Sequence, residues 1–288
     1  MRDTLVTIGL PFYNAEKTLS LAIKSILLQT FSSWRLILVD DGSTDHSLDI
    51  AKKFARSDPR IEVLADGVNR GLIYRLNQLI DLAETRYVAR MDADDLMLPD
   101  RLYRQTEVLE QNPAVDLVDC AVFTMDENMI PVGIRFTEII NYEPKNVLRR
   151  AMLLHAAVLG KTSWFKQNRY DECFPRAEDH ELWCRTFTFS RFERILEPLY
   201  VVREGRVNVS NYRKSLRTVR KIVRQYGAET FTRLEFQLEI VKTHLKIMTY
   251  SIAGFFHLQH YLSAKRNRPL DTNTAQHLAE MIQRIKES

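Results

Sequence analysis

The stretch "MDADD" places three carboxylates, Asp92, Asp94 and Asp95, directly after an apolar, β-forming run. Carboxylates crowded in this way repel one another, and removing them from water is costly unless a cation lies among them. In an extended strand end Asp92 and Asp94 point to the same side, where they can orient one hard cation while phosphate oxygens complete its shell. A helix cap formed by Asp94 or Asp95 is the alternative. The stretch therefore predicts a divalent-cation site or a helix N-terminus.

Two other acidic motifs have the same double interpretation. In "VDDGSTD", Asp40 and Asp41 follow the apolar run "LILV", so a carboxylate there could accept a hydrogen bond from a pyrimidine base, although Asp, Gly and Ser also form ordinary turns. In "AEDHELW", Glu178 and Asp179 precede a helical pattern. They could take a proton from a reacting hydroxyl, or they could be an N-cap pair favoured by the helix dipole.

The elements that must position these motifs alternate between strand and helix through the first 125 residues. Repeated β-α units of this kind predict an α/β fold with a mostly parallel, Rossmann-like sheet flanked by helices. Ligands of such sheets bind at the carboxyl ends of the strands. "PFYN", "DDGSTD" and "MDADD" each follow a predicted strand. We therefore expect the three motifs to meet at one edge of the sheet.

Charge divides the chain into two parts. Of its 288 residues, the part from Tyr200 onward contains 16 Lys and Arg against 7 Asp and Glu, whereas the remainder is slightly acidic. We predict an α/β ligand-binding domain at 1–205 and a basic helical extension at 206–288. The basic helices could contact anionic phospholipid. Alternatively, their charges are a solvated face over a packing stripe.

Several absences narrow the class of protein. Three cysteines without metal-like spacing indicate reduced thiols, and neither a signal-peptide core nor an unbroken apolar run of 18 residues is present. We expect a cytoplasmic protein, free or attached to the inner face of the plasma membrane. No G-x-G-x-x-G follows the first strand, which disfavours a dinucleotide-dependent oxidoreductase. The basic tail lacks interleaved aromatics, so we expect no nucleic-acid partner.

Taken together, five ordered motifs resemble the family 2 inverting glycosyltransferases with a GT-A fold, of the bacterial surface-polysaccharide type. They are "TIGLPFYNAEKTLSLAIKSILLQTF", "LILVDDGSTDHS", "NRG", "ARMDADDLMLPDRL" and "AEDHELWCR", within residues 4–210. The resemblance implies transfer of a hexose or hexosamine from a nucleoside diphosphate, by default UDP, to an acceptor hydroxyl. It also implies assistance by Mn²⁺ or Mg²⁺. The acceptor would be a saccharide or a lipid-linked saccharide in lipopolysaccharide, capsule or exopolysaccharide synthesis.

The resemblance also implies roles for residues around the donor. Pro11 and Tyr13 would line the nucleoside pocket, and Asp41 would bind the base. Arg70 of "NRG" would lie near the nucleotide, and Asp92 would face the ribose or a metal-bound water.

On the metal and acceptor side, the resemblance implies that Asp94 is the direct metal ligand and Asp179 the general base. Glu178 would lie beside Asp179 at the acceptor cleft. His155 falls where an acceptor-side polar residue often lies, and a buried structural histidine is the alternative.

The chain departs from the family pattern in two places. Arg203 and Arg206 stand where many bacterial members have a His, so these arginines could hold the diphosphate directly or could solvate the tail, and metal dependence could be weaker than usual. The Q-x-x-R-W motif of processive members is missing, which predicts a non-processive enzyme. The competing hypotheses are a non-catalytic nucleotide-sugar-binding module and a binder of membranes or nucleic acid through the basic tail.

Overall fold

The computed structural model describes residues 4–205, 209–255 and 267–288. Its N-terminal half repeats strand and helix as the sequence predicts. The elements are β1 (Val6–Phe12), α1 (Leu19–Leu27), β2 (Trp34–Asp40), α2 (Ser47–Ser57), β3 (Ile61–Ala65), α3 (Leu72–Leu82), β4 (Tyr87–Arg90), β5 (Leu96–Met97) and α4 (Arg101–Gln111).

The second half is less regular. Its elements are β6 (Leu117–Met125), β7 (Pro131–Arg135), α5 (Pro144–Arg149), a 3₁₀ turn (His155–Ala157), β8 (Leu159–Lys161), α6 (Thr162–Gln167), α7 (Glu178–Thr186), β9 (Phe192–Arg203), α8 (Val209–Tyr226), α9 (Arg233–Phe255) and α10 (Thr272–Glu287).

One sheet runs through the molecule in the order β3-β2-β1-β4-β8-β6-β9-β5, with β7 beside β6. Strands β1 to β4 are parallel, as are β6 and β9, whereas the short β5, β7 and β8 pair antiparallel. The predicted mostly parallel α/β fold is confirmed. Because β1 lies between β2 and β4, the strand order reverses there, and ligands of α/β sheets collect at such a switch point.

The core explains why these elements form. All seven residues of β1 are buried, as expected for a central parallel strand covered on both faces. Helix α1 covers one face with Leu19, Ala22, Ile23 and Ile26, none of which is exposed. Together with the partly buried Leu27, they form the helical stripe that the sequence predicts.

The C-terminal helices pack on this same body. Ile222 and Val223 of α8 belong to the hydrophobic cluster around Trp183, and Phe236 of α9 packs against it. Helix α10 joins another cluster, in which Leu278 packs with residues of β5, β6 and β9. The division at 205/206 therefore remains a prediction. Within the described ranges, no helix is both long enough and apolar enough to cross a membrane.

Candidate active site

The loops after β1, β2 and β4 meet at one edge of the sheet. The backbone N–H of Asp41 donates to the carbonyl of Phe12 at 2.8 Å, and that of Met91 donates to the carbonyl of Gly9 at 3.2 Å. The three motifs that follow these strands are thus neighbours, as the sequence predicts. Such an edge is where a nucleotide fits in an open α/β sheet.

The first acidic cluster consists of Asp92, Asp94 and Asp95, whose carboxylates each place an oxygen within 4.8 Å of the others. Both terminal nitrogens of Arg90 donate to Asp92, at 3.2 and 2.7 Å. Asp95 is buried and accepts hydrogen bonds from the backbone N–H of Arg203, at 2.9 Å, and from the hydroxyl of Tyr200. Asp94 is exposed, and its carboxylate accepts a hydrogen bond from its own backbone N–H. It is the member left to bind a ligand.

The electrostatics of this cluster fit a divalent cation. Desolvation and the charge of Asp92 raise the pKa of Asp94. Desolvation and both neighbouring carboxylates raise the pKa of Asp95 well above its usual range. Oxygen ligands that repel one another are what Mg²⁺ and Mn²⁺ stabilise. With Asp92 held by Arg90 and Asp95 by backbone, Asp94 is the residue that would hold the ion directly.

The second acidic cluster consists of His155, Glu178 and Asp179, again with ligand atoms within 4.8 Å. The Nδ1 of His155 lies 3.8 Å from Oε1 of Glu178, and its Nε2 lies 2.8 Å from the hydroxyl of Tyr170. Burial, and then the charge of Asp179, raise the pKa of Glu178 to about 7. Burial, and then the charge of Arg90, hold the pKa of His155 well below its usual value, so the imidazole is neutral. Asp179 is only partly buried.

Arg90 lies between the two clusters, and sequence reasoning missed it. Its side chain is 8% exposed, and its Nε is buried without a hydrogen-bond partner among the described residues. Burial opposes its charge, but Asp92 and then more distant groups, Glu178 among them, raise its pKa above the usual value. The sequence did offer a signal for Arg90, because it stands two residues before Asp92 at the end of a buried strand. Side chains two residues apart in a strand point to the same face.

Asp41 makes a structural contact that its predicted role does not include. Its carboxylate accepts from the backbone N–H groups of Arg70, at 2.8 Å, and Gly71, at 3.0 Å, and so holds the turn that precedes α3. It also accepts from Nε of Arg75, at 2.9 Å, a buried arginine that the sequence reasoning did not single out. Gly71 has φ +86°, which a residue with a Cβ rarely adopts. Base recognition by Asp41 remains a prediction.

Two cavities open at this edge. One, of about 570 Å³, is lined by Pro11, Tyr13, Asp92, Asp94 and Arg203, together with other residues of the loop after β1. The guanidinium of Arg203 donates to the backbone carbonyls of Asp94, at 3.2 Å, and Glu127, at 2.9 Å. Arg206, for which the sequence predicts a contact with the diphosphate or with solvent, lies outside the described residues.

The other cavity, of about 580 Å³, lies on the side of the second acidic cluster. Its lining includes Arg70 and Tyr74 from the start of α3, Arg176 and Glu178 near α7, and Ser215 of α8. The guanidinium of Arg70 lies 5.0 Å from the centre of the Tyr74 ring and pairs with Asp66 at 2.9 Å. The two carboxylates therefore belong to different cavities. The exposed Asp94 lines the first, and the buried Glu178 lines the second.

Solved structures share this architecture. The S. aureus TarS fragment 1-349 in complex with UDP superposes with a TM-score of 0.60 at 19% identity, covering 76% of this chain and 65% of that one. At this level of identity the likeness shows the fold, which is that of the GT-A glycosyltransferases.

Sequence relatives identify the family. The model of glycosyl transferase family 2 matches residues 7–168. Putative glycosyltransferase EpsE of Bacillus subtilis is 34% identical over 206 residues, 69% of this chain and 73% of EpsE. The Escherichia coli UDP-Glc:alpha-D-GlcNAc-diphosphoundecaprenol beta-1,3-glucosyltransferase WfgD is 36% identical over 112 residues, which span 39% of this chain and less than half of WfgD. On this basis the chain belongs to glycosyl transferase family 2.

Proposed function

We propose that the chain transfers one sugar from a nucleoside diphosphate donor to an acceptor hydroxyl, with inversion at the anomeric carbon, during assembly of a cell-surface polysaccharide. The observation that carries the proposal is the pair of acidic clusters at one sheet edge, one with an exposed carboxylate and one with a carboxyl of raised pKa. UDP is the proposed nucleotide, because TarS binds it and the name of WfgD gives a UDP sugar as donor.

In this proposal the first cluster acts on the donor. Asp94 would hold Mg²⁺ or Mn²⁺, and Asp92 and Asp95 keep the strand end in place through Arg90 and Tyr200. When bound, the metal neutralises charge on the diphosphate leaving group. Pro11 and Tyr13 cover the nucleoside, since they line the same cavity as Asp94. Arg203 lines it too and could contact the diphosphate.

The second cluster acts on the acceptor. Asp179 takes the proton of the attacking hydroxyl, and its partial exposure leaves it accessible to the acceptor. Glu178 holds a proton below pH of about 7 and so limits the negative charge beside Asp179. Neutral His155, fixed by Tyr170, lies beside Glu178 without adding positive charge. A base and a leaving-group site held on rigid elements supply the alignment that the reaction needs.

The acceptor that fits this proposal is a saccharide, and a lipid-linked saccharide is favoured by the diphosphoundecaprenol named for WfgD. Such an acceptor requires access to a bilayer, for which the basic C-terminal helices are the proposed contact. The protein itself would then act at the inner face of the membrane.

The test is a donor panel. The protein is incubated with UDP-glucose, UDP-galactose, UDP-N-acetylglucosamine and GDP-mannose, each with Mn²⁺ or with EDTA, and release of the nucleotide is followed. The proposal expects release from one UDP sugar that depends on metal and is accelerated by a saccharide acceptor, with a product of inverted anomeric configuration by NMR. No release from any donor, with or without an acceptor, would contradict it.

A further inference from the structure

Helix α9 has a second apolar face that nothing in the described structure covers. The face is formed by six side chains, each between 47% and 71% exposed, which we call the α9 stripe: Leu234, Leu238, Val241, Leu245, Met248 and Ile252. They follow one another at intervals of four and three residues, so they form one straight row of about 27 Å along the helix. Exposed apolar rows of this size mark interaction sites.

The opposite face of α9 already contacts the rest of the protein. Glu235 pairs with Lys145 at 2.7 Å and Glu239 pairs with Arg149 at 2.9 Å, which ties α9 to α5. Phe236 packs against the core cluster around Trp183. The helix therefore cannot turn its stripe inward without breaking these contacts.

A row of arginines runs beside the stripe. Helix α8 lies antiparallel to α9, since the rings of Tyr212 and Tyr250 are 3.9 Å apart and Arg220 donates to Nε2 of His244 at 2.5 Å. The α8 arginines with the same four-three spacing are Arg213, Arg217, Arg220 and Arg224. Arg213, Arg217 and Arg224 are exposed, and the described residues offer none of these three a carboxylate partner. An apolar row edged by cations is complementary to anionic lipid.

We propose that the α9 stripe and the α8 arginine row form a surface that lies flat on an anionic bilayer, with the stripe at the boundary between headgroups and acyl chains.

A second copy of the chain is the less favourable occupant, although the spacing also suits a coiled coil. The flanking e and g positions hold Lys242 and His244 but no free acidic partner, and two copies would bring arginine rows together.

The same surface adjoins the acceptor cavity. Ser215 of α8 lines the cavity that contains Glu178. Thr218 donates to the carbonyl of Pro175 at 2.8 Å, and Lys221 donates to that of Cys173 at 3.0 Å, so α8 holds the loop that precedes α7. A lipid-linked acceptor in the headgroup plane would thus reach the cavity along α8. The route of a lipid-linked acceptor rests on the proposed function, whereas the membrane-binding surface of the α9 stripe and the α8 arginine row does not.

The test is flotation with vesicles of phosphatidylcholine alone or with about one third phosphatidylglycerol, without donor or acceptor. Wild-type protein is expected to float only with the anionic vesicles. Leu238→Gln/Leu245→Gln should lower the partition coefficient about tenfold, since binding scales with buried apolar area. Arg217→Gln/Arg224→Gln should lower it by a similar factor and weaken its salt dependence.

The matched control is Ile139→Gln/Phe189→Gln, which removes two apolar side chains, 80% and 66% exposed, outside the stripe and should float like wild type. Circular dichroism checks that every variant is folded. Absence of wild-type binding, or equal binding by stripe and control variants, would overturn the proposal. So would a wild-type dimer by light scattering that the stripe variant converts to a monomer while neither binds vesicles. Because no sugar donor is present, these outcomes are independent of the donor panel.

Discussion

The two acidic clusters contain the same kinds of side chain in opposite surroundings. In the first, Asp94 reaches solvent while Arg90 pairs with its neighbour Asp92. In the second, Glu178 is buried beside a neutral histidine, and its pKa rises to about 7. Carboxylates whose environments differ in this way can be assigned different tasks. The first cluster suits a cation with a diphosphate, and the second suits proton transfer.

Loss of the base should have the largest effect. Asp179→Asn is expected to slow sugar transfer about 10³-fold, because the acceptor hydroxyl then keeps its proton during attack. UDP affinity in the presence of Mn²⁺ should not change. Initial rates and calorimetric titration measure the two quantities. Glu172→Gln is the control, since Glu172 is an exposed carboxylate that lines the cavity containing Glu178, the neighbour of Asp179. Equal rates for Asp179→Asn and the control would remove Asp179 from the mechanism.

Loss of the arginine between the clusters should lower stability. Arg90→Gln leaves Asp92 without its ion-pair partner and should reduce the free energy of unfolding by about 3 kcal/mol in urea titration. This is the lower end for a buried pair, because the Asp92 side chain is 36% exposed. Adding Asp92→Asn to Arg90→Gln should recover part of the loss. Strictly additive losses would show that the pair itself contributes nothing.

The raised pKa of Glu178 predicts a pH-dependent effect on stability. The folded protein keeps this proton up to pH of about 7, whereas the unfolded chain loses it near the ordinary glutamate pKa of 4.5, so stability falls as pH rises between these values. Glu178→Gln removes that fall. The variant should be more stable than wild type by about 3 kcal/mol at pH 8 and nearly equal to it at pH 4.5. A difference that does not vary with pH would contradict the assignment.

The smallest effect concerns the metal. Because desolvation by the surrounding protein and mutual repulsion raise the pKa values of Asp94 and Asp95, protons compete with Mn²⁺ at low pH. Affinity for Mn²⁺ should fall about tenfold from pH 7.5 to pH 5.5, as measured by the EPR signal of the free ion. Asp95→Asn should flatten this dependence. A pH-independent affinity would place the ion elsewhere.

The sequence predicted the N-terminal half well, because its strands and helices carry regular local signals. The β-α order and the buried stripe of α1 were both confirmed. Strand β9 was missed. Its polar and irregular residues gain their pairing from the distant strands β5 and β6; the first pair with β6 joins residues 75 positions apart, and the register then shifts. Such long-range pairing leaves no local pattern, yet it is what carries Arg203 to Asp95.

The site was predictable in its acidic residues and less so in their partners. Asp92, Asp94, Glu178 and Asp179 stood out because motifs name them. The partnership of Tyr200 with Asp95 depends on tertiary packing and has no sequence signal. The α9 stripe was missed for a similar reason. Apolar residues occur on two faces of that helix, and only the fold shows which face is covered.

The most direct test of the division between the clusters is one titration series. UDP is titrated with Mn²⁺ or EDTA into wild type, Asp94→Asn and Asp179→Asn. We predict metal-dependent binding by wild type and by Asp179→Asn, and loss of that metal-dependent binding in Asp94→Asn. Binding that needs Asp179 but not Asp94, or that is equal in all three proteins, would contradict the assignment of donor and proton to separate clusters.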